Sequence, residues 1–283
     1  MPEGDSIHHA ARRIGRVVLG GPLDRVVTPS PRTAPRGWDR RLAGREVVAL
    51  EPRGKHLLIR FDDGLVLHSH LRMTGSWRVR PAPGGAGPDL AVSARPGGPA
   101  RRGAGAGGRG GRPYSGRTWL VLGRGEQDAL QIGGPFLELR TSAQVAGDPR
   151  LAALGPDLCA EAFDADRAVA RLRQDDPTRP VGDALLDQRS VAGIGNVWKS
   201  EGCFAAAIDP WRPLGRTTDD ELRAILAAVR PGIRRCAIEG THLRPKHVYG
   251  KQGRPCPRCG TTIRSAAMGD DNRTTSWCPG CQR

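Results

Sequence analysis

The sequence predicts an α+β protein: one amino-terminal helix, a strand-rich remainder of the first half, a helical second half and a short cysteine-rich tail. Three observations carry that expectation. Apolar residues recur at helical spacing over residues 5–18, short β-type runs separated by turn residues occupy 45–79 and recur over 119–139, and the period becomes helical after Gly147-Asp148-Pro149. Two Cys-x-x-Cys pairs then close the chain.

Ile7, Ala10, Ala11, Ile14, Val17 and Val18 share one helix face, Asp5 or Ser6 can cap its start, and Gly20-Gly21-Pro22 ends it. Residues 47–50, 57–61, 65–71, 119–122, 129–132 and 136–139 read as strands, with turns at Arg53-Gly54 and Asp62-Asp63-Gly64. Between Pro81 and Pro113 lie 33 residues with 11 Gly, 6 Pro, five Arg and a single acid. Such a segment cannot repay its ordering entropy and reads as a disordered insertion, 81–113. Helices follow at 164–173, 180–188, 196–207 and 218–238, the last with Asp219, Asp220 and Glu221 in the turn that the helix dipole favours for acids. The organisation is therefore 1–146, 149–250 and 251–283.

The 283 residues hold 44 Lys plus Arg against 29 Asp plus Glu, a net charge of +15 that points to a polyanionic partner. No eighteen-residue apolar run and no signal-peptide pattern occurs, so a protein of the cytoplasm with no membrane partner is expected. Lys55, Lys199, Lys246 and Lys251 are the only lysines, which makes each worth placing; a GC-rich genome explains the excess of Arg without a mechanism.

Of seven cysteines, Cys159, Cys203 and Cys236 stand singly in apolar or helical surroundings and read as buried, inert thiols. Cys256 and Cys259, then Cys278 and Cys281, form two knuckles whose spacing delivers four thiolates to one Zn²⁺. Four thiolates leave no open position, so this zinc is structural. Arg273 lies between the knuckles, where a metal-held hairpin could aim its guanidinium at a phosphate; an ordinary solvated arginine is the plainer reading.

Residues 187–197 place a Gly-rich turn between two helices, the second beginning near Asn196. Unpaired N–H groups there can bind a phosphate, Gly193 and Gly195 would let a DNA backbone come close, and the Asn196 amide adds a donor. At the other end, removal of Met1 would leave Pro2 with a free secondary amine. An α-amino group titrates near 7.7–8.0 against about 10.4 for lysine, so Pro2 would be a competent nucleophile toward a sugar C1′. Glu3 beside it could protonate the ring oxygen.

In this order, Met1-Pro-Glu-Gly-Asp5, Gly54-Lys55-His56, His68-Ser-His-Leu-Arg-Met-Thr-Gly75, Leu186-Asp-Gln-Arg-Ser-Val-Ala-Gly-Ile-Gly-Asn196 and Arg273 to Gln282 resemble the formamidopyrimidine-DNA glycosylase/endonuclease VIII family of base-excision repair. The likeness runs from residue 2 to residue 282, broken by the insertion. It implies a β-sandwich behind the first helix, a helix–two-turn–helix domain and a zinc-finger hairpin. It implies a monomer acting on damaged DNA: Pro2 as Schiff-base nucleophile, Glu3 as proton donor, Lys55 and Arg273 as phosphate contacts serving β- and δ-elimination, and Asn196 as a phosphate ligand. Arg72 also belongs to the DNA-binding set. Met73 matches the position that fills the void left by an everted base, although by residue type alone it would be assigned to the core.

The Pro-Glu-Gly start and the Trp277-Cys-Pro-Gly-Cys-Gln ending resemble the endonuclease VIII side, which implies oxidised pyrimidines as substrates. The Asp-Pro-Arg-Arg-Phe-Gly segment of the 8-oxoguanine side is replaced here by Gln131-Ile-Gly-Gly-Pro-Phe136. Ser6 stands where the family commonly has Glu, with Asp5 beside it, which leaves a second carboxylate displaced or absent. Two other readings fit the charge and the cysteines: a non-catalytic, zinc-dependent binder of damaged or branched DNA, and an RNA- or ribosome-associated zinc ribbon.

Overall fold

The computed structural model describes residues 2–83 and 114–283, so most of the 81–113 insertion lies outside the described residues. Pro81 belongs instead to a strand, and the Ala82 N–H bonds the Glu126 carbonyl, so ordered chain continues past the residue where the Gly/Pro composition begins. These residues form two compact units. One comprises Ala10–Glu51 and Leu58–Ser142; the other comprises Pro2–His9, Pro52–Leu57 and Ala143–Arg283.

Helix α1 (Gly4–Val18) buries the apolar face read from its spacing, with Ile14 and Val18 fully enclosed. Then come β1 (Arg25–Val27), α2 (Trp38–Leu42), β2 (Val47–Arg53), β3 (His56–Phe61), β4 (Leu65–His70), β5 (Ser76–Pro81), β6 (Thr118–Arg124), β7 (Gln127–Ile132) and β8 (Phe136–Thr141). They make two four-stranded sheets, ordered β1-β6-β7-β5 and β2-β3-β4-β8, the double-sheet arrangement that the family likeness implied. Leu58, Ile59, Phe61, Val66 and Leu67 supply buried side chains from one sheet, and Leu120, Val121, Leu122, Ala129 and Leu130 from the other. Strand β1 and helix α2 were not foreseen, because three and five residues are too few to set a period. A buried Asp128 fastens β1 to its sheet by accepting from the Arg25 guanidinium at 3.1 Å and from the Tyr114 hydroxyl at 2.8 Å.

The second unit is helical: α3 (Ser142–Ala146), α4 (Pro149–Ala152), α5 (Ala165–Leu172), α6 (Val181–Ala184), α7 (Asn196–Ala205) and α8 (Asp219–Glu239). Helix α6 is one turn, shorter than the 180–188 span expected, and its chain passes directly into hydrogen-bonded turns through Ser190. Helix α8 opens with a capping box in which Thr218 and Glu221 satisfy each other's backbone N–H groups. Trp198, Leu222, Ile225, Val229 and Ile233 belong to one buried cluster with the apolar face of α5. The chain ends in a hairpin of β9 (Arg264–Met268) and β10 (Arg273–Trp277), paired antiparallel. No helix among the described residues is long and apolar enough to cross a membrane.

Candidate active site

Five of the expected site residues, Pro2, Glu3, Lys55, Asn196 and Arg273, fall in the second unit, although they are far apart in sequence. Glu3 has no solvent exposure, and its carboxylate accepts the Val197 N–H at 3.0 Å and the Trp198 N–H at 3.4 Å. These are first-turn donors of α7, so the carboxylate caps that helix through space and meets its positive dipole end. The Gly4 N–H adds a bond to the Gly193 carbonyl at 2.8 Å.

This geometry overturns one expectation. The α7 N–H groups at 197 and 198 are engaged by Glu3 rather than left open for a phosphate, and the glycines admit protein rather than DNA. A Cβ on Gly195 would lie 2.4 Å from the Glu3 carboxyl carbon, and one on Gly4 would lie 2.7 Å from the Gly193 Cα. For an anion at this helix end the Asn196 side chain offers its Nδ2 amide donors; its Oδ1, an acceptor, is buried and without a hydrogen-bond partner among the described residues.

The start of α1 also differs from expectation. Glu3 is the capping residue, since its carbonyl accepts from Ser6 and Ile7 and its own N–H donates to Ser6 Oγ at 3.2 Å. Asp5 is buried inside the helix and takes the Arg244 Nε at 2.7 Å and the Trp198 indole N–H at 3.2 Å. The Arg244 guanidinium also donates to Ser6 Oγ at 2.7 Å. The carboxylate that Ser6 does not supply is thus present one residue earlier, engaged with an arginine.

Electrostatics tie the members together. Burial raises the Glu3 carboxyl above its ordinary range, only partly offset by Arg244, Lys55 and the Val197 N–H. Lys55 sits on the turn between β2 and β3, half-buried, and burial pushes its amine down to about 8 against the pull of Glu3, with Arg273 and Arg244 adding repulsion. Burial also works to lower Arg244, but its bonds to and charge attraction for Asp5 outweigh this and raise it. Arg273 opens β10, partly exposed, with its guanidinium 3.1 Å from Asp271. Pro2 is half-buried ahead of the capping turn. Arg72 and Met73 belong to the other unit, on the Leu71–Gly75 turn: Arg72 has a positive φ of 51°, and Met73 is 61% exposed rather than in a core.

Two residues of this region escaped sequence reasoning. Lys199 and Glu201 are buried in α7 beside Ser200. The Lys199 ammonium donates to Thr275 Oγ1 on β10 at 2.6 Å, and burial lowers it to about 8. Glu201 accepts the backbone N–H groups of His247, Val248 and Tyr249 at 2.9–3.0 Å. The scarcity of lysine was the one hint that Lys199 mattered.

Cys256, Cys259, Cys278 and Cys281 bring their four sulfurs within 4.8 Å of one another. Cys256 and Cys281 are 3.8 Å apart, and Cys259 and Cys278 are 3.4 Å apart. Sulfurs about 2.3 Å from a tetrahedral zinc sit about 3.8 Å from each other, so the donor set fits that ion. Cys159, Cys203 and Cys236 are buried, and burial raises all three thiols, the last two to about 12 and about 11. They are inert.

Gly195→Ala tests the packing: it should expel Glu3 from the α7 terminus and cost ~1–3 kcal/mol in a denaturant titration, whereas an unchanged midpoint would show that the carboxylate does not occupy that space.

Comparison with known proteins places these features in one lineage. Residues 1–97 match the formamidopyrimidine-DNA glycosylase N-terminal domain, 154–244 the H2TH domain of the same glycosylase, and 253–283 the zinc finger found in FPG and IleRS. The chain is 40% identical to a protein of Streptomyces coelicolor named probable endonuclease 8 2, across all of this chain and 94% of that one. It is 34% identical to the DNA-(apurinic or apyrimidinic site) lyase Nei2 of Mycolicibacterium smegmatis, across all of this chain and 99% of that one. Its fold matches Lactococcus lactis Fpg, solved in complex with DNA containing N7-benzyl-Fapy-dG, with a TM-score of 0.76 over the whole of both chains at 22% identity. The chain belongs to the formamidopyrimidine-DNA glycosylase/endonuclease VIII family.

Proposed function

We propose that this protein is a bifunctional DNA glycosylase and abasic-site lyase of base-excision repair. The observation that carries the reading is the seating of Glu3 on α7, which draws the segment bearing Pro2 into the unit that holds Lys55, Asn196 and Arg273. Once Met1 is removed, the Pro2 amine attacks C1′ of the damaged nucleotide; the base departs with its bonding pair and takes up the proton that the amine sheds. Glu3, which burial biases toward the protonated form, delivers a proton to the ring oxygen as the C1′–O4′ bond opens, leaving an iminium on Pro2. Loss of a C2′ proton then breaks the C3′–O3′ bond and loss of a further sugar proton breaks the C5′–O5′ bond; water then hydrolyses the Pro2 adduct, freeing the sugar remnant and the amine and leaving a gap. Lys55 and Arg273 hold the flanking phosphates through these steps, and the Asn196 amide adds a third contact. Phosphate contacts give affinity without reading sequence, as an enzyme that scans for lesions requires.

Arg72 also contacts DNA on this reading, and the exposed Met73 side chain fills the gap left by the everted nucleotide. Oxidised pyrimidines are the substrates on this reading, supported by the Pro-Glu-Gly start and by the absence of the segment typical of the 8-oxoguanine side. Zinc is held by Cys256, Cys259, Cys278 and Cys281, where it supplies rigidity to the hairpin that carries Arg273. The protein acts as a monomer in the bacterial cytoplasm.

Borohydride should trap a covalent complex of the mature protein with abasic or thymine-glycol DNA, and Pro2→Gly or retention of Met1 should abolish it. Failure of the mature wild-type protein to form any adduct would overturn the assignment in favour of simple DNA binding. The Lys55 amine loses its charge as pH rises through about 8, so affinity for abasic DNA should fall across that range. In Lys55→Arg, which stays charged, the fall should be absent. An equal fall in both proteins would remove Lys55 from the phosphate-binding role.

A further inference from the structure

Lys55 makes no side-chain hydrogen bond among the described residues, so its amine is aimed only by the turn that bears it. That turn is tied to the helical segment by a backbone hydrogen bond. Gly54, with φ of 56°, donates its N–H to Asp157 Oδ2 at 2.7 Å. The same carboxylate lies 2.9 Å from His8 Nε2, about one turn into the helix that follows Pro2, and its Oδ1 accepts the Cys159 N–H at 2.9 Å. Its residue is also tied to the Gly-rich turn: Asp157 bridges Ala192, the Leu158 N–H donates to the Ala192 carbonyl at 3.1 Å, and Gly193 carries the Gly4 bond.

We propose that Asp157 is the positioning residue of this site, a carboxylate brace that fixes the Lys55 turn and the Pro2-bearing helix to one point of the helical unit. The inference deepens the reading given under the proposed function and rests on it. Both carboxylate oxygens are committed to these bonds, and Cys159 beside them is held as a thiol by burial and by the Asp157 charge. The His8, Asp157 and Cys159 trio is therefore a brace rather than a cation site. Asp157 touches no reacting atom. It acts through the Gly54 N–H on the direction of Lys55 and through His8 on the register of α1. Misplacement of a catalytic group by about 1 Å can cost a hundredfold in rate, so a brace on the residue next to Lys55 has leverage although it touches no reacting atom.

A double-mutant cycle separates positioning from general stability. Strand cleavage at a preformed abasic site is measured under single-turnover conditions with full-length, zinc-loaded protein as wild type, Asp157→Ala, Lys55→Ala and the double variant. Asp157→Ala is expected to slow cleavage by about tenfold to a hundredfold. In the Lys55→Ala background it should slow cleavage by a clearly smaller factor, because the group aimed through Gly54 is gone and only the His8 contact to α1 remains. Asp157→Asn keeps one acceptor for the Gly54 N–H and the shape of the side chain, and it should recover part of the loss even if Asp157→Ala folds poorly. Equal slowing by Asp157→Ala in both backgrounds, or no slowing by either Asp157 variant, overturns the proposal. Absence of cleavage by the wild-type protein overturns the functional reading itself, and this inference with it.

Discussion

One carboxylate organises this site. Glu3 is completely buried, an expensive place for a charge, and what makes the position tolerable is the amino-terminal end of α7. The same bonds satisfy helix donors that would otherwise lie buried without partners. Neither group can be removed without stranding the other. That mutual dependence keeps the first residues of the chain in a fixed place instead of fraying as termini commonly do. The nucleophile proposed at Pro2 needs such an anchor, and on the same proposal the anchor is also the acid that assists it.

Helix α7 is the second organising element. All of its residues from Asn196 to Phe204 are buried, including a lysine and a glutamate that a surface helix would expose. Each polar side chain reaches a different segment: Lys199 and Ser200 take Thr275 and Ser276 of the hairpin strand, and Glu201 takes the backbone of 247–249. The hairpin that carries Arg273 is therefore held to α7 by buried hydrogen bonds as well as by its cysteine cluster. Buried networks of this kind favour one arrangement, since any half-satisfied alternative leaves polar groups without partners.

Much of the architecture was legible in the chain. Helical spacing over residues 5–18 and the acid-rich start of α8 mark long elements, where propensity and burial agree. The paired Cys-x-x-Cys motifs gave the four converging sulfurs because ligand spacing is itself a sequence property. Short elements such as β1 were hidden, and so was everything that depends on partners distant in sequence. Gly193 and Gly195 looked like openings for a ligand, yet the space is filled by Gly4 and Glu3, about 190 residues away in the chain. Asp157 gave no local sign at all: its role exists only because Gly54 and His8 arrive at the same carboxylate.

The measurement closest to the heart of this account is a pH titration of the Val197 and Trp198 amide protons by NMR, in the wild-type protein and in Glu3→Gln. Both amide resonances should shift as Glu3 ionises, with a midpoint above the ordinary value of 4.5, and the shift should vanish in Glu3→Gln. Amide resonances that do not respond to pH, or that respond identically in Glu3→Gln, would contradict the claim that one buried carboxylate on a helix end assembles the site.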